Sequence, residues 1–190
     1  MASYSYDENL RDASALALML KTLNQMPQPT IARVQGAAFG GAVGLVSCCD
    51  MAVAATNASF SLSEVKIGLV PATISPYVIA AIGERWARRY FLTAERFDAQ
   101  RAMQIGLVNE AVNAEQLDQQ INSLIEALLV NGPEAVMAAK QLVFDVSGKP
   151  IDQNLIDHSC EVIAAIRVSE QGQEGLNAFL EKRKPHWTKG

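Results

Sequence analysis

Cysteine, basic charge and long apolar runs are all scarce in this sequence. Its 190 residues include three cysteines; Cys48 and Cys49 are adjacent and Cys160 lies far from both. That pattern suits neither a disulfide framework nor a metal-binding spacing, which makes a reducing compartment the default and leaves the thiols to pack as small apolar groups. Sixteen Lys and Arg stand against twenty Asp and Glu, a formal net charge of −4. The basic residues are scattered apart from one C-terminal cluster, so no nucleic-acid partner is expected. No uncharged run, Val34–Cys49 included, reaches the roughly 18 to 20 residues that cross a bilayer, and no basic-then-apolar leader opens the chain. The expectation is a cytoplasmic protein without a membrane partner.

What is present is apolar content: 49% of the residues are hydrophobic, enough for one core with a smaller helical appendage. Leu10, Ala13, Leu16, Ala17, Leu20 and Leu23 recur at helical spacing, which predicts a helix over Asp7–Met26, stopped by Pro27 and Pro29. A short buried strand is expected over Thr30–Gln35, then a glycine turn over Gly36–Gly41, and a short apolar helix over Ala42–Cys49. Met51–Ala55 and Ser59–Leu62 read as two further strands. Pro71 and Pro76 bracket a loop ahead of one helical run through Ile82 and a second over Glu84–Leu92. Ala99–Ile105 reads as helix, Gly106 as its stop, and Leu107–Val112 as extended. Beyond Glu115 the chain reads as four helices, broken at Gly132-Pro133, at Gly148-Lys149-Pro150 and around Ser169.

A strand, a glycine turn and a helix start place free backbone N–H groups, aided by the helix dipole, near Gly40 and Gly41. Without side chains there, a ligand oxygen can approach those donors, an arrangement suited to a carbonyl that develops oxyanion character. The same glycines could equally serve close packing of helix on strand. The order "GAAFGG" is not a nucleotide fingerprint, and no following lysine marks a phosphate loop. Downstream, "FSLSEVKIGLVPA" carries one carboxylate, Glu64, between apolar stretches. A glutamate there suits either a partly desolvated general acid/base or a structural role. Thr73 and Ser75 read either as pocket residues or as turn formers. His158 and His186 lack ligand spacing to any partner, so no metal is implied.

Four stretches resemble the enoyl-CoA hydratase/isomerase (crotonase) superfamily, in order and correctly spaced over essentially the whole chain. They are "QPTIARVQGAAFGGAVGLVSCCDMAVA", "ASFSLSEVKIGLVP", "LTAERFDAQRAMQIGLVNEAV" and "EGLNAFLEKRKPHW". The resemblance implies an α/β fold: a spiral of ββα turns over residues 1–130, N-terminally truncated, then a helical region over residues 131–190 that drives homotrimer or hexamer assembly. It implies an acyl-CoA thioester as substrate and no cofactor beyond that CoA. Gly41 sits where the family places one oxyanion-hole N–H, with Gly40 beside it, and Glu64 where hydratases keep the second of two catalytic glutamates. The first would fall at Gly44, so the carboxylate pair is broken, and the room left by Gly44 is expected to accept part of the substrate. Phe179 and Lys182 match residues that reach a neighbouring subunit's CoA, the ring near the adenine and the lysine near a phosphate.

The stretch "PATISPYVIAAIGERWARRYFLTAERFDA" is unlike the "PGAGGTQR" type of loop. It resembles the branch of methylglutaconyl-CoA and isohexenylglutaconyl-CoA hydratases of leucine and acyclic-terpene breakdown. The family's preceding segment, with an "AGAD"-like loop carrying the other oxyanion N–H, has no counterpart here, and Met1 looks like an internal methionine used as a start. Three activities follow as expectations: a hydratase of branched, carboxylated enoyl-CoA; a Δ3,Δ2-enoyl-CoA isomerase working through Glu64 alone; or a silent acyl-CoA binder.

Overall fold

The computed structural model describes residues 3–188; Met1 lies outside them. Chain contacts divide the molecule into two units. One holds the chain up to Met26 with Thr30–Ile121; the other holds Pro27–Pro29 with Asn122 onward.

The first unit opens with α1 (Tyr6–Asn24). Ser5 starts it with a reciprocal cap: its hydroxyl accepts from the Glu8 N–H and the Glu8 carboxylate accepts from the Ser5 N–H. Leu16, Leu20 and Leu23 turn into the core. Then come β1 (Ile31–Val34), β2 (Ala37–Phe39), α2 (Gly41–Cys48), β3 (Met51–Ala55) and β4 (Ser59–Ser61). A 3₁₀ turn over Glu64–Ile67 precedes α3 (Ser75–Thr93), β5 (Phe97–Asp98), α4 (Ala99–Gln104) and β6 (Glu110–Val112).

Among the described residues two three-stranded sheets result, ordered β1-β3-β6 and β2-β4-β5. β1, β3 and β6 run parallel, with Ala32 opposite Ala52 and Val53 opposite Glu110. β2 pairs parallel with β4, Phe39 opposite Ser61, while β4 pairs antiparallel with β5. The core gathers Val43, Phe60, Leu62, Ile74, Val78 and Tyr90 between sheets and helices.

Two strands depart from the sequence reading. The stretch read as one glycine turn contains β2, because the left-handed bends fall only at Gly36 (φ 79°) and Gly40 (φ 54°), and the small residues between them pair with β4. Three residues carry too little alternation to announce a strand. β5, two residues long, is fixed only by its partner. The two helices expected on either side of Gly83 are the two arms of α3, separated where Gly83 leaves the helical region at φ 74° and ψ 159°.

The helix α5 (Leu117–Leu129) starts within the first unit and continues into the second, where α6 (Pro133–Val146), α7 (Gln153–Val168) and α8 (Glu170–Leu180) follow. The breaks fall at the expected glycines, prolines and Ser169, whose hydroxyl accepts from the Gly172 N–H to cap α8. The Gln171 side-chain oxygen accepts from the N–H groups of Glu134 and Ala135 and so caps α6. No helix among the described residues is long and apolar enough to cross a membrane.

Candidate active site at the start of α2

The chain enters α2 through Gly40, at φ 54° and ψ −120°, a conformation that L side chains avoid. Its N–H donates to the Ser61 carbonyl at 2.9 Å, which ties the turn to β4. Its carbonyl accepts from the Val43 N–H at 2.9 Å. Gly41 follows, exposed, and its N–H has no acceptor among the described residues. No side chain caps α2 and no acidic residue stands in its first turn. Its first-turn donors and dipole are therefore available to an oxygen that gains negative charge.

Glu64 arrives from the other side. β4 ends at Ser61 beside the Gly40 turn, and a 3₁₀ turn begins at Glu64 itself. That turn closes through Gly68, in the left-handed region, with the Leu69 N–H donating to the Glu64 carbonyl at 3.1 Å. The Glu64 carboxylate lies against the bare α-carbon of Gly40: a Cβ built there would sit 3.1 Å from Oε1 and 3.6 Å from Cδ. Glu64 Oε2 is buried and has no hydrogen-bond partner among the described residues. Leaving such an atom unsatisfied costs about 1–3 kcal/mol, more when it is charged. A ligand or water that donates to it would recover that cost.

The two stretches singled out in the sequence thus meet, putting a carboxyl group next to a bare stretch of backbone. Gly44 is different. A Cβ there would fall 2.2 Å from Ile74 Cγ2 and 2.7 Å from Ile74 Cβ, and Ile74 is 2% exposed. The room expected at Gly44 for part of a substrate is filled by Ile74. Nothing local in the sequence signals this contact, since the two residues belong to separate elements; the one cue is the unusual "PATISP" loop. Ser75 is absorbed by that loop, its hydroxyl donating to the Ala72 carbonyl at 2.8 Å.

Sequence reasoning also missed the Arg96 guanidinium, 5.0 Å from the centre of the Phe39 ring just ahead of Gly40. Strand register explains it: Phe39 is opposite Ser61 and Phe60 is opposite Phe97, so Arg96 is brought along the same sheet.

In the second unit, Phe179 is 81% exposed near the end of α8. Lys182 follows that helix, exposed and in the left-handed region at φ 55°. The C-terminal segment is pinned by Glu174, which accepts from Arg183 Nη1 and Nη2 at 2.7 and 2.8 Å and from the His186 N–H at 2.9 Å. These bonds, the Arg183 contact foremost, hold the Glu174 carboxyl down at about 2. His158 faces Asp145 at 3.4 Å. Neither histidine belongs to a cluster that could hold a metal ion among the described residues.

The sequence matches the enoyl-CoA hydratase/isomerase family over residues 4–190. The crystal structure of an enoyl-CoA hydratase from Shewanella pealeana superposes with a TM-score of 0.94 at 53% identity, covering 98% of this chain and 69% of that one. A crotonyl-CoA hydratase of Syntrophomonas wolfei is 31% identical over 170 residues, 89% of this chain and 65% of that protein. Methylmalonyl-CoA decarboxylase of Escherichia coli is 29% identical over 192 residues, 96% of this chain and 69% of that protein. This chain therefore spans about two thirds of the length of the relatives it matches. With its paired small sheets, the α2 turn and the C-terminal helices, it has the crotonase fold and belongs to the enoyl-CoA hydratase/isomerase family of enzymes.

Proposed function

We propose that this chain binds an acyl-CoA thioester at the start of α2 and adds water across its 2,3 double bond, with Glu64 as the proton-transfer group. The observation that carries the reading is the Glu64 carboxylate lying against Gly40, its Oε2 buried and unpartnered among the described residues, beside the exposed Gly41 N–H. In this scheme the thioester carbonyl accepts from the Gly41 N–H. Water oxygen bonds to C3 while Glu64 takes one of its protons, and the π electrons move onto the carbonyl oxygen. The enolate is stabilised by the N–H and the α2 dipole, and Glu64 returns the proton to C2, so that the product is substrate plus one water. A donor placed at such an oxyanion contributes about 2.7–4 kcal/mol to barrier lowering.

The preferred substrate in this reading is a branched, carboxylated enoyl-CoA of the 3-methylglutaconyl type, as in leucine or acyclic-terpene breakdown. The support is the resemblance carried by "PATISPYVIAAIGERWARRYFLTAERFDA". We place the reaction in the cytoplasm, with no cofactor beyond the CoA of the substrate. In a homotrimer or hexamer, Gly40 and Gly41 would line the acyl end, and Phe179 and Lys182 would meet the adenine and a phosphate of a neighbouring subunit's CoA.

A second reading is favoured by Ile74, which fills the hollow at Gly44 and leaves Glu64 without a companion carboxylate there. One carboxylate is enough to move a proton between carbons, as a Δ3,Δ2-enoyl-CoA isomerase requires. Product mass separates the two. Incubation with 3-methylglutaconyl-CoA, crotonyl-CoA and a 3-enoyl-CoA should yield a gain of one water, abolished by Glu64→Gln. Isomerised product of unchanged mass would favour the second reading. No conversion, with CoA-thioester binding intact, would leave a silent binder.

A further inference from the structure

Ile74 is buried at the point where the loop passes into α3. Its carbonyl accepts from the Val78 N–H at 3.1 Å, and the Ala72 carbonyl just before it accepts both the N–H and the hydroxyl of Ser75, at 3.2 and 2.8 Å. Pro71, buried, precedes the loop, and Pro76 sits in the first turn of α3. A β-branched side chain on such a backbone has few rotamers. Its Cγ2 occupies the place where a side chain at Gly44 would begin.

Gly44 lies four residues after Gly40, so the two face the same side of α2, about one helical turn apart. On that side Glu64 Oε1 meets Gly40 and Ile74 meets Gly44. At these two contacts α2 meets the 3₁₀ turn of Glu64 and the residue that starts α3. No side chain caps α2 at its start; the Gly40–Gly41 turn is held by the Gly40 N–H bond to Ser61, by the β2–β4 ladder that leads into it, and by the packing of α2, of which the Ile74 contact is part.

We propose that Ile74 is a positioning residue of this site: wedged into the hollow at Gly44, it holds the Gly40–Gly41 turn in register with the Glu64 carboxylate and denies that hollow to any second polar group. This rests on the reading of Glu64 and Gly41 as the reacting pair. Ile74 touches no reacting atom; it acts through α2. Opening the hollow should let α2 slide, and displacements of about 1 Å can cost on the order of a hundredfold in rate.

The test uses the full chain with whichever thioester it converts, and four variants: Ile74→Val, Ile74→Ala, Gly44→Ala, and the Ile74→Ala/Gly44→Ala pair. Circular dichroism and native mass establish that each is folded before kinetics are measured. Ile74→Ala should lower kcat by about tenfold to a hundredfold with KM changed less than about threefold. Ile74→Val should keep most of the wild-type kcat. Gly44→Ala alone, colliding with Ile74, should lower kcat as well, and pairing it with Ile74→Ala should restore it, because a methyl from α2 refills part of the hollow. Wild-type kcat in Ile74→Ala, or a pair no better than its worse parent, overturns the wedge while leaving Glu64 chemistry intact. If Ile74→Ala does not fold, Ile74→Val and Gly44→Ala decide between the outcomes: losses that scale with the misfit at the hollow support the wedge, and losses that do not scale overturn it. Absence of turnover by the wild-type chain, with Glu64→Gln indistinguishable from it, overturns the underlying reading instead.

Discussion

Alanine at Gly40 should damage fold and chemistry together, whereas alanine at Gly41 should spare the fold. At Gly40 the backbone is at φ 54° and ψ −120°, where a residue with a Cβ pays about 1–3 kcal/mol. The added methyl would also lie 3.1 Å from Glu64 Oε1, pressing the carboxylate away from α2. Taking about 2 kcal/mol as the central cost, a chain of this size should lose about 4–8 °C in its unfolding midpoint. Gly41 is the first residue of the helix and a Cβ there meets nothing within 4 Å, so alanine should be neutral or stabilising by at most about 1 kcal/mol. Its methyl does stand beside the N–H assigned to the thioester carbonyl. A loss of kcat approaching the 10²–10³ of a removed oxyanion donor, roughly, is the ceiling. Paired thermal melts and steady-state kinetics on an enoyl-CoA measure both. A Gly40→Ala variant with wild-type midpoint and rate would refute the strained-turn argument. A Gly41→Ala variant with a lowered midpoint would contradict the assignment of its space as open.

Further expectations concern other parts of the chain. Lys182 holds a left-handed conformation that glycine adopts freely, so Lys182→Gly should raise stability by about 1 kcal/mol. If its ammonium contacts a CoA phosphate, the same change should weaken CoA binding by calorimetry about tenfold; unchanged affinity removes it from the binding surface. Glu174, held at about 2 by Arg183 and the His186 N–H against an ordinary 4.5, stabilises the C-terminal segment fully above pH 4.5, and this stabilisation is lost as pH falls toward 2. Hydrogen exchange of the residues around His186 should show that acid loss, and Glu174→Gln should flatten it; an identical pH response in the variant would show that another group is responsible. The Asn109 side-chain oxygen accepts from the buried Ala52 N–H at 2.7 Å, while the Asn109 backbone N–H donates to the Ala52 carbonyl at 2.8 Å. Asn109→Ala should therefore cost about 1–3 kcal/mol in denaturant unfolding, and a cost near zero would mean water replaces the bond.

Much of this protein was legible from residue order alone. Helical spacing from Leu10 to Leu23, the proline stops and the Gly-Pro breaks of the C-terminal half act within a few residues, so they place α1 and α5–α8 without knowledge of any partner. The glycines at 40 and 41 and the lone Glu64 stand out in their own neighbourhoods, but the residues alone leave a packing or structural role as open as a chemical one; the chemical reading comes from the family resemblance. The very short strands were not legible, because β2 and β5 exist through hydrogen bonds to β4 and carry almost no pattern of their own. Nor was the approach of Glu64 to Gly40, which depends on β4 delivering one segment beside the other. The hollow at Gly44 shows the limit most clearly. Sequence alone presents a missing side chain and suggests room, whereas packing supplies Ile74 from another element, since a core at crystal-like density leaves no such space empty.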